Sequence, residues 1–178
     1  MDEAHQIILA AEDSGAANDK QEGVPMGAAT LAYLEAADIE RTQADGPTGA
    51  EPPPIPLSGD NGYFSEKKVE GLEAQGFDPH IATGRQKQNQ PGISEAVGPP
   101  PAEATVKERM AHKRRTQEGR ACYAKRKQIV EPVFGQIKQG RGFRQFLLRG
   151  LKKVQGEWKL ACLTHNLLKN WRYQCALT

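Results

Sequence analysis

The chain lacks any uninterrupted run of roughly 18 apolar residues, so no segment reads as a membrane-spanning helix. Its start, Met1 to Ala11, has neither the basic flank nor the long apolar stretch of a secretory signal, and the sequence is read as cytoplasmic. Cysteine is scarce: Cys122, Cys162 and Cys175 are odd in number and lack zinc-ribbon spacing. That argues against a disulfide framework and a structural metal, and leaves three reduced core thiols as the expectation. No internal repeat is visible. With 38% hydrophobic residues in 178, one domain with loosely packed segments is the prior. Thr42 to Pro56 and Gln86 to Ala104 are almost wholly Gly, Pro, Ala and polar residues, which predicts loops.

A net charge of +2 conceals a strong polarity. Residues 1–101 hold 6 Lys and Arg against 17 Asp and Glu, whereas residues 102–178 hold 18 against 5. A half so basic suits phosphate binding, since each neutralised phosphate releases condensed counterions. Nucleic acid is the leading partner on this ground; a solvated Lys/Arg-rich helix face is the alternative.

Patterning predicts a strand over 4–11, around Ile7-Ile8-Leu9, and a helix over Val24 to Ala37 with Asn18 and Asp19 as upstream turn or capping residues. Ile55-Pro56-Leu57 enters a second strand ending near Asp60. Ser65 is placed to cap a helix over 66–75, Gly76 to end it in the left-handed conformation, and Phe77 to Thr83 follows as a strand. This alternation is the α/β class, a small mixed sheet with helices. Beyond Pro101 only helices are expected, over 105–115, 118–139 and 151–172. The last carries Leu151, Val154, Trp158, Cys162, His165 and Leu168 on one stripe. Pro132 should kink or restart the middle helix beside Glu131. The domain reading is an α/β part over 1–83, a flexible loop over 84–104 and a basic helical region over 105–178.

Two carboxylates stand out. Asp60 would project from the carboxyl edge of a strand, where ligand sites form in open sheets. Glu131 sits among Val130, Pro132, Val133 and Phe134, which predicts a helix packed on the sheet and a carboxylate that needs a partner or a metal. Both could offer hard oxygen ligands to Mg²⁺. Equally, an Asp beside Gly is an ordinary turn residue and a lone helical Glu is ordinarily solvated. Lys113-Arg114-Arg115 and Lys125-Arg126-Lys127 read as backbone-phosphate contacts or as solvated runs. Trp158, Trp171, Phe143 and Phe146 read as packing aromatics, and His165 as a packed core histidine.

The motifs together narrow the choice. Gly59-Asp60-Asn61-Gly62-Tyr63-Phe64-Ser65-Glu66 is similar to the motif around the second aspartate of DDE insertion-sequence transposases, and Ile81 to Lys87 resembles the strand that follows it. Tyr123 through Lys138, with Lys125-Arg126-Lys127-Gln128-Ile129-Val130-Glu131-Pro132-Val133-Phe134-Gly135-Gln136-Ile137 between, resembles the family's glutamate-bearing helix. Arg141 to Phe146 and Thr164 to Lys169 resemble its C-terminal end, so the likeness covers most of residues 57–172.

The resemblance implies an incomplete RNase H-like fold in which two Asp and one Glu hold two Mg²⁺ (or Mn²⁺) ions roughly 3.5–4 Å apart for DNA cleavage and strand transfer. Asp60 and Glu131 would be two of those ligands. Lys138, seven residues after Glu131, would hold a DNA phosphate if the helix runs straight. Tyr123 and Arg126 match the helix signature, although Arg126 is one position too far from Glu131 and Lys127 is the alternative; Arg114 and Arg115 are further candidate DNA contacts. In the family the first aspartate lies on a strand before a hairpin, and residues 1–25 match that hairpin loosely. Asp2 corresponds to a turn residue there, not a ligand. The expectation is therefore a truncated transposase with little strand transfer alone, acting on transposon ends and target DNA within a transposase multimer, with no membrane and no small-molecule substrate. Alternatives are a non-catalytic DNA-binding remnant that interferes with the full-length enzyme, and a decayed chain that scarcely folds.

Overall fold

A computed structural model describes residues 1, 4–12, 22–39, 52–84 and 94–177. Asn18 and Asp19, the predicted capping pair, lie outside them. The chain divides into two units, Asn18–Ala124 and Met1–Ala17 with Lys125–Thr178.

The first unit is α/β. Helix α1, Gly23–Ala36, precedes strand β1, Ile55–Gly59; α2, Glu66–Ala74, leads to β2, Phe77–Ile81, and then to α3, Val106–Lys113. The two strands pair in parallel, Ile55 opposite Phe77 and Gly59 opposite Ile81. Parallel neighbours need a crossover, and α2 supplies it. Ser65 stands at its N-cap in extended conformation, but its side chain makes no capping hydrogen bond. Gly76, at φ +82°, turns the chain into β2 as its lack of a Cβ permits. Val69 and Leu72 of α2 bury against Phe77, Ile81 and Met110, with Val24, Leu31, Ile55, Leu57 and Tyr63 packed around them. Helix α3 begins in a capping box: Thr105 Oγ1 accepts from the Glu108 N–H, and Glu108 accepts from the Thr105 N–H at 2.8 Å.

A clamp ties α3 to β2. Residues 78 and 80 share one face of the strand, because strand side chains alternate. His80 lies 2.9 Å from the Asp78 carboxylate, while Lys113 bonds Asp78 and donates to the Pro79 carbonyl at 3.1 Å. After α3 the chain turns at once into α4, Gln117–Gly135. Thr116 Oγ1 donates to the Lys113 carbonyl and accepts from the Gly119 N–H. A Cβ on Gly119 would stand 2.0 Å from that carbonyl oxygen.

The second unit contains the later part of α4, a π-turn over Gln136–Gly140, and α5, Leu151–Leu177. Its core joins Ile8, Val133, Ile137 and Cys162, with Ala11, Phe143 and Trp158 against it. The predicted stripe on α5 is borne out at Cys162 and His165, which are buried, and at Val154, Trp158 and Leu168, which are half-buried; Leu151 is exposed.

Three sequence expectations are corrected. No strand forms over 4–12. Instead Ile8 gives its backbone to a side chain, its N–H to Asn166 Oδ1 and its carbonyl to Asn166 Nδ2, each at 2.9 Å. Of the two outcomes expected at Pro132, a kink or a fresh start, the fresh start is ruled out; α4 runs through it. Proline has no N–H for the carbonyl four residues back, that of Gln128, and the Gln6 side chain donates there at 2.9 Å. Finally, the thiols are not all core: Cys162 is buried, Cys122 is half-buried and Cys175, far along α5, is exposed. Burial pushes the Cys162 thiol up to about 11, which keeps it protonated and inert.

His165 is the packed histidine expected, 2% exposed, its ring Nε2 3.1 Å from the Gln6 carbonyl. Burial lowers its pKa below the ordinary 6.5, the Gln6 carbonyl opposing and Lys169 and Arg141 adding to the fall. Burial lowers His80 too, against the Asp78 bond and with the charges of Lys113 and Arg114. Burial pushes the Asp78 carboxyl up, but the bonds and charges of Lys113 and His80 outweigh it and leave it below the usual 3.8.

Two outcomes are expected. Gly119→Ala should cost about 1–3 kcal/mol in denaturant unfolding, whereas Gly156→Ala, where a Cβ meets nothing within 4 Å, should stabilise α5 by about 0.5–1 kcal/mol. Equal effects at the two sites would contradict the packing. Since the unfolded chain protonates both histidines more readily than the folded one, stability is complete above about pH 6.5 and declines as the pH falls below it. The unfolding midpoint should therefore drop from about pH 7 to about pH 5.5, and less steeply in His165→Gln; a flat or rising midpoint would rule out the buried neutral rings.

Candidate active site

Asp60 follows β1 directly. The ladder closes with the Ala82 N–H donating to the Gly59 carbonyl at 3.2 Å, so the next residue leaves the sheet at its carboxyl end, as expected. There Asp60 caps a single 3₁₀ turn, Asn61–Tyr63, its Oδ1 accepting from the Gly62 N–H at 2.9 Å. The turn reading and the ligand reading thus describe one residue: the amide fixes the carboxylate's direction, and the side chain is exposed.

Glu131 belongs to the other unit. Of its two readings, a carboxylate in need of a partner or an ordinary solvated helical Glu, its exposure matches the second: Val133 and Ile137 turn toward Ile8 and Cys162, and Glu131 is exposed. The reason is helical phase. Two residues along a helix amount to about 200° of rotation, so burying Val133 faces Glu131 outward. No desolvation penalty then demands a partner for it.

Lys127, one turn before Glu131, is also exposed, whereas Arg126 is half-buried. Lys138 is exposed with its ammonium 5.3 Å from the centre of the Phe134 ring. It sits within the π-turn, whose wider winding shifts the phase after Gly135. α4 does pass Pro132, the condition for Lys138 to share the face of Glu131, and the π-turn that carries Lys138 follows it.

The remaining basic candidates carry internal contacts. Arg114 lays its guanidinium 4.1 Å from the centre of the Tyr123 ring, which accounts for both half-buried side chains. Arg115 donates through its fork to the Ser94 carbonyl and hydroxyl at 3.1 Å, fastening the segment before α3. Phe134 and Trp158 stack with centroids 6.1 Å apart, and Phe143 joins them. Trp171 was expected to pack and does not, being 61% exposed.

The Asp78, His80 and Lys113 cluster escaped the sequence reading. An Asp-Pro-His alternation within an otherwise buried strand was the available signal, because two polar side chains on one strand face need a partner. Among the described residues no group of three or more His, Cys, Asp and Glu side chains is gathered in metal-holding geometry. Among them, too, no helix is long and apolar enough to cross a membrane.

Comparison with curated proteins and with solved structures returned no match. A family model described as "Transposase DDE domain" does match, over residues 96–171. That span contains α3, α4 with Glu131, the π-turn with Lys138 and most of α5; Asp60 lies ahead of it. This stretch of the chain, from just before α3 to well along α5, is similar to the transposase DDE domain, and the match supports a likeness to the C-terminal part of a DDE-type transposase.

Proposed function

We propose that the chain serves metal-dependent DNA cleavage and strand transfer during transposition of an insertion sequence, with Asp60 and Glu131 as two of the carboxylates that hold Mg²⁺ or Mn²⁺. The observation that carries this reading is Glu131 itself, a solvent-facing carboxylate on α4 inside the transposase-matched segment. Asp60 supports it by its place at the carboxyl end of a parallel strand. Both groups are hard oxygen donors, and their exposure suits an ion that keeps several waters. When bound, divalent ions supply activation of the attacking water or 3′-hydroxyl and neutralise charge on the leaving oxygen.

The chain's own part is positioning. Asp60 is oriented by the Gly62 amide, and Glu131 is turned to solvent by the burial of Val133 on the opposite side of α4. Lys127 and Lys138 stand ready for backbone phosphates, which fix register without reading sequence. A fuller RNase H-like architecture, a transposase multimer, and transposon ends and target DNA as substrates belong to the same proposal.

Conservative variants test it. Asp60→Asn retains an oxygen for the Gly62 N–H, and Glu131→Gln leaves α4 unchanged. Each should weaken Mn²⁺ binding, read from the EPR signal of the free ion, by at least roughly ten-fold. DNA affinity should stay within about two-fold, since neither side chain is a phosphate contact. Unchanged Mn²⁺ binding in both variants would reject the metal role and leave a non-catalytic DNA-binding protein.

A further inference from the structure

The loop between the π-turn and α5 displays its apolar side chains. Leu147 is 74% exposed and Leu148 47%, and Leu151 at the start of α5 is 46% exposed. Scattered surface leucines need no explanation. This tip, however, is braced. Glu157 reaches back from α5, and its carboxylate accepts from the N–H of Leu147 at 2.9 Å and of Leu148 at 3.1 Å. Just before it in the chain Phe143 and Phe146 meet edge to face with centroids 5.5 Å apart, and the Phe143 N–H donates to the Ile137 carbonyl. Two leucines are thus held out into solvent on a fixed platform.

Cations neighbour them in the chain. Arg141, Arg144, Arg149, Lys152 and Lys153 fall within the same short stretch, and all five are exposed. Arg144 meets a neutral group, the Gln139 amide, and Arg141 donates to the Ala161 carbonyl and the Thr164 hydroxyl. Glu157, the acidic side chain that reaches the loop, is engaged with backbone. Exposed apolar side chains in a short stretch rich in exposed cations complement an anionic polymer whose interior is apolar and can be opened at intervals.

We propose that Leu147 and Leu148 form a wedge that enters a base step of bound duplex DNA from the minor groove, while Arg144, Arg149, Lys152 and Lys153 hold the flanking phosphates. Prising apart one step costs a few kilocalories per mole and is offset by the contacts that the bend permits. Pyrimidine–purine steps open most cheaply, so the wedge favours TpA and CpA over stiff A-tracts. The carboxylate of Glu157 contributes by holding the tip rigid, so that little loop entropy is lost on insertion. This inference rests on DNA being the partner, as proposed above, but is independent of metal at Asp60 and Glu131.

The full chain is titrated, without divalent metal, into a short duplex carrying 2-aminopurine at a central TpA step, across a series of salt concentrations. Wild type should bind with an affinity that falls with salt and should brighten the probe as the step unstacks. Leu147→Ala and Leu148→Ala, at exposed positions where folding is undisturbed, should each lose roughly ten-fold in affinity and most of the brightening, with the salt slope unchanged. Arg149→Ala should instead flatten the slope. Wild-type binding that both leucine variants reproduce, probe signal included, would overturn the wedge and leave DNA binding standing. Absence of salt-dependent binding by the wild type would overturn both readings. Leucine variants that lose binding to phosphatidylserine vesicles, or lose self-association in sedimentation, while binding DNA normally would also overturn it and assign the tip to a membrane or to a second copy.

Discussion

Packing in the helical unit depends on how a short irregular segment satisfies its backbone. Ile8 can sit against Val133, Ile137 and Cys162 because Asn166 takes both its N–H and its carbonyl. The Gln6 carbonyl meets the His165 ring, and the Gln6 side chain bridges the Gln128 carbonyl, which Pro132 leaves without a donor, to Lys169. A buried polar backbone without such partners would cost about as much as the apolar contact contributes. With those bonds made, Val133 and Ile137 face inward, and the helical repeat then sets Glu131 in solvent. The outward aspect of the proposed ligand thus follows from hydrogen bonds made elsewhere in its unit.

The basic half of the sequence overstates the charge on offer to phosphate. Lys113 is committed to Asp78, Arg115 to Ser94, Arg114 to the Tyr123 ring and Lys169 to Gln6. Such residues locate loops and helices. Arg141 and Arg144 are likewise engaged, with Thr164 and Gln139. Lys127 and Lys138, and Arg149, Lys152 and Lys153 beside Leu147 in the chain, present exposed side chains.

Local signals were legible in the sequence wherever the cause was local. Gly76 ended α2, Ser65 preceded it, and Asp60 lay at the end of a strand with Gly62 two residues on; each of these follows from neighbours in the chain. The stripe on α5 was legible too, but not that the helix carries a second apolar face, Leu160, Leu163, Leu167 and Trp171, which is exposed. A strand over 4–11 was misread because a short apolar run is alike whether its backbone meets a strand or an asparagine far along the chain. Apolar neighbours in sequence left two readings of Glu131 open, and the solvated one is seen because residues two apart on a helix face nearly opposite ways. The Lys113 clamp was invisible for a similar reason, its partner in β2 being distant in sequence.

What the functional account most requires is that Asp60 and Glu131 each hold a divalent cation. Affinity cleavage tests this without presupposing turnover: Fe²⁺ replaces Mg²⁺, ascorbate and peroxide generate hydroxyl radicals at the bound ion, and the cut sites in the polypeptide are mapped. The account predicts backbone cuts at two places in one molecule, beside Asp60 and beside Glu131, both suppressed by excess Mg²⁺. Cuts confined to one of the two, or scattered without regard to Mg²⁺, would contradict it.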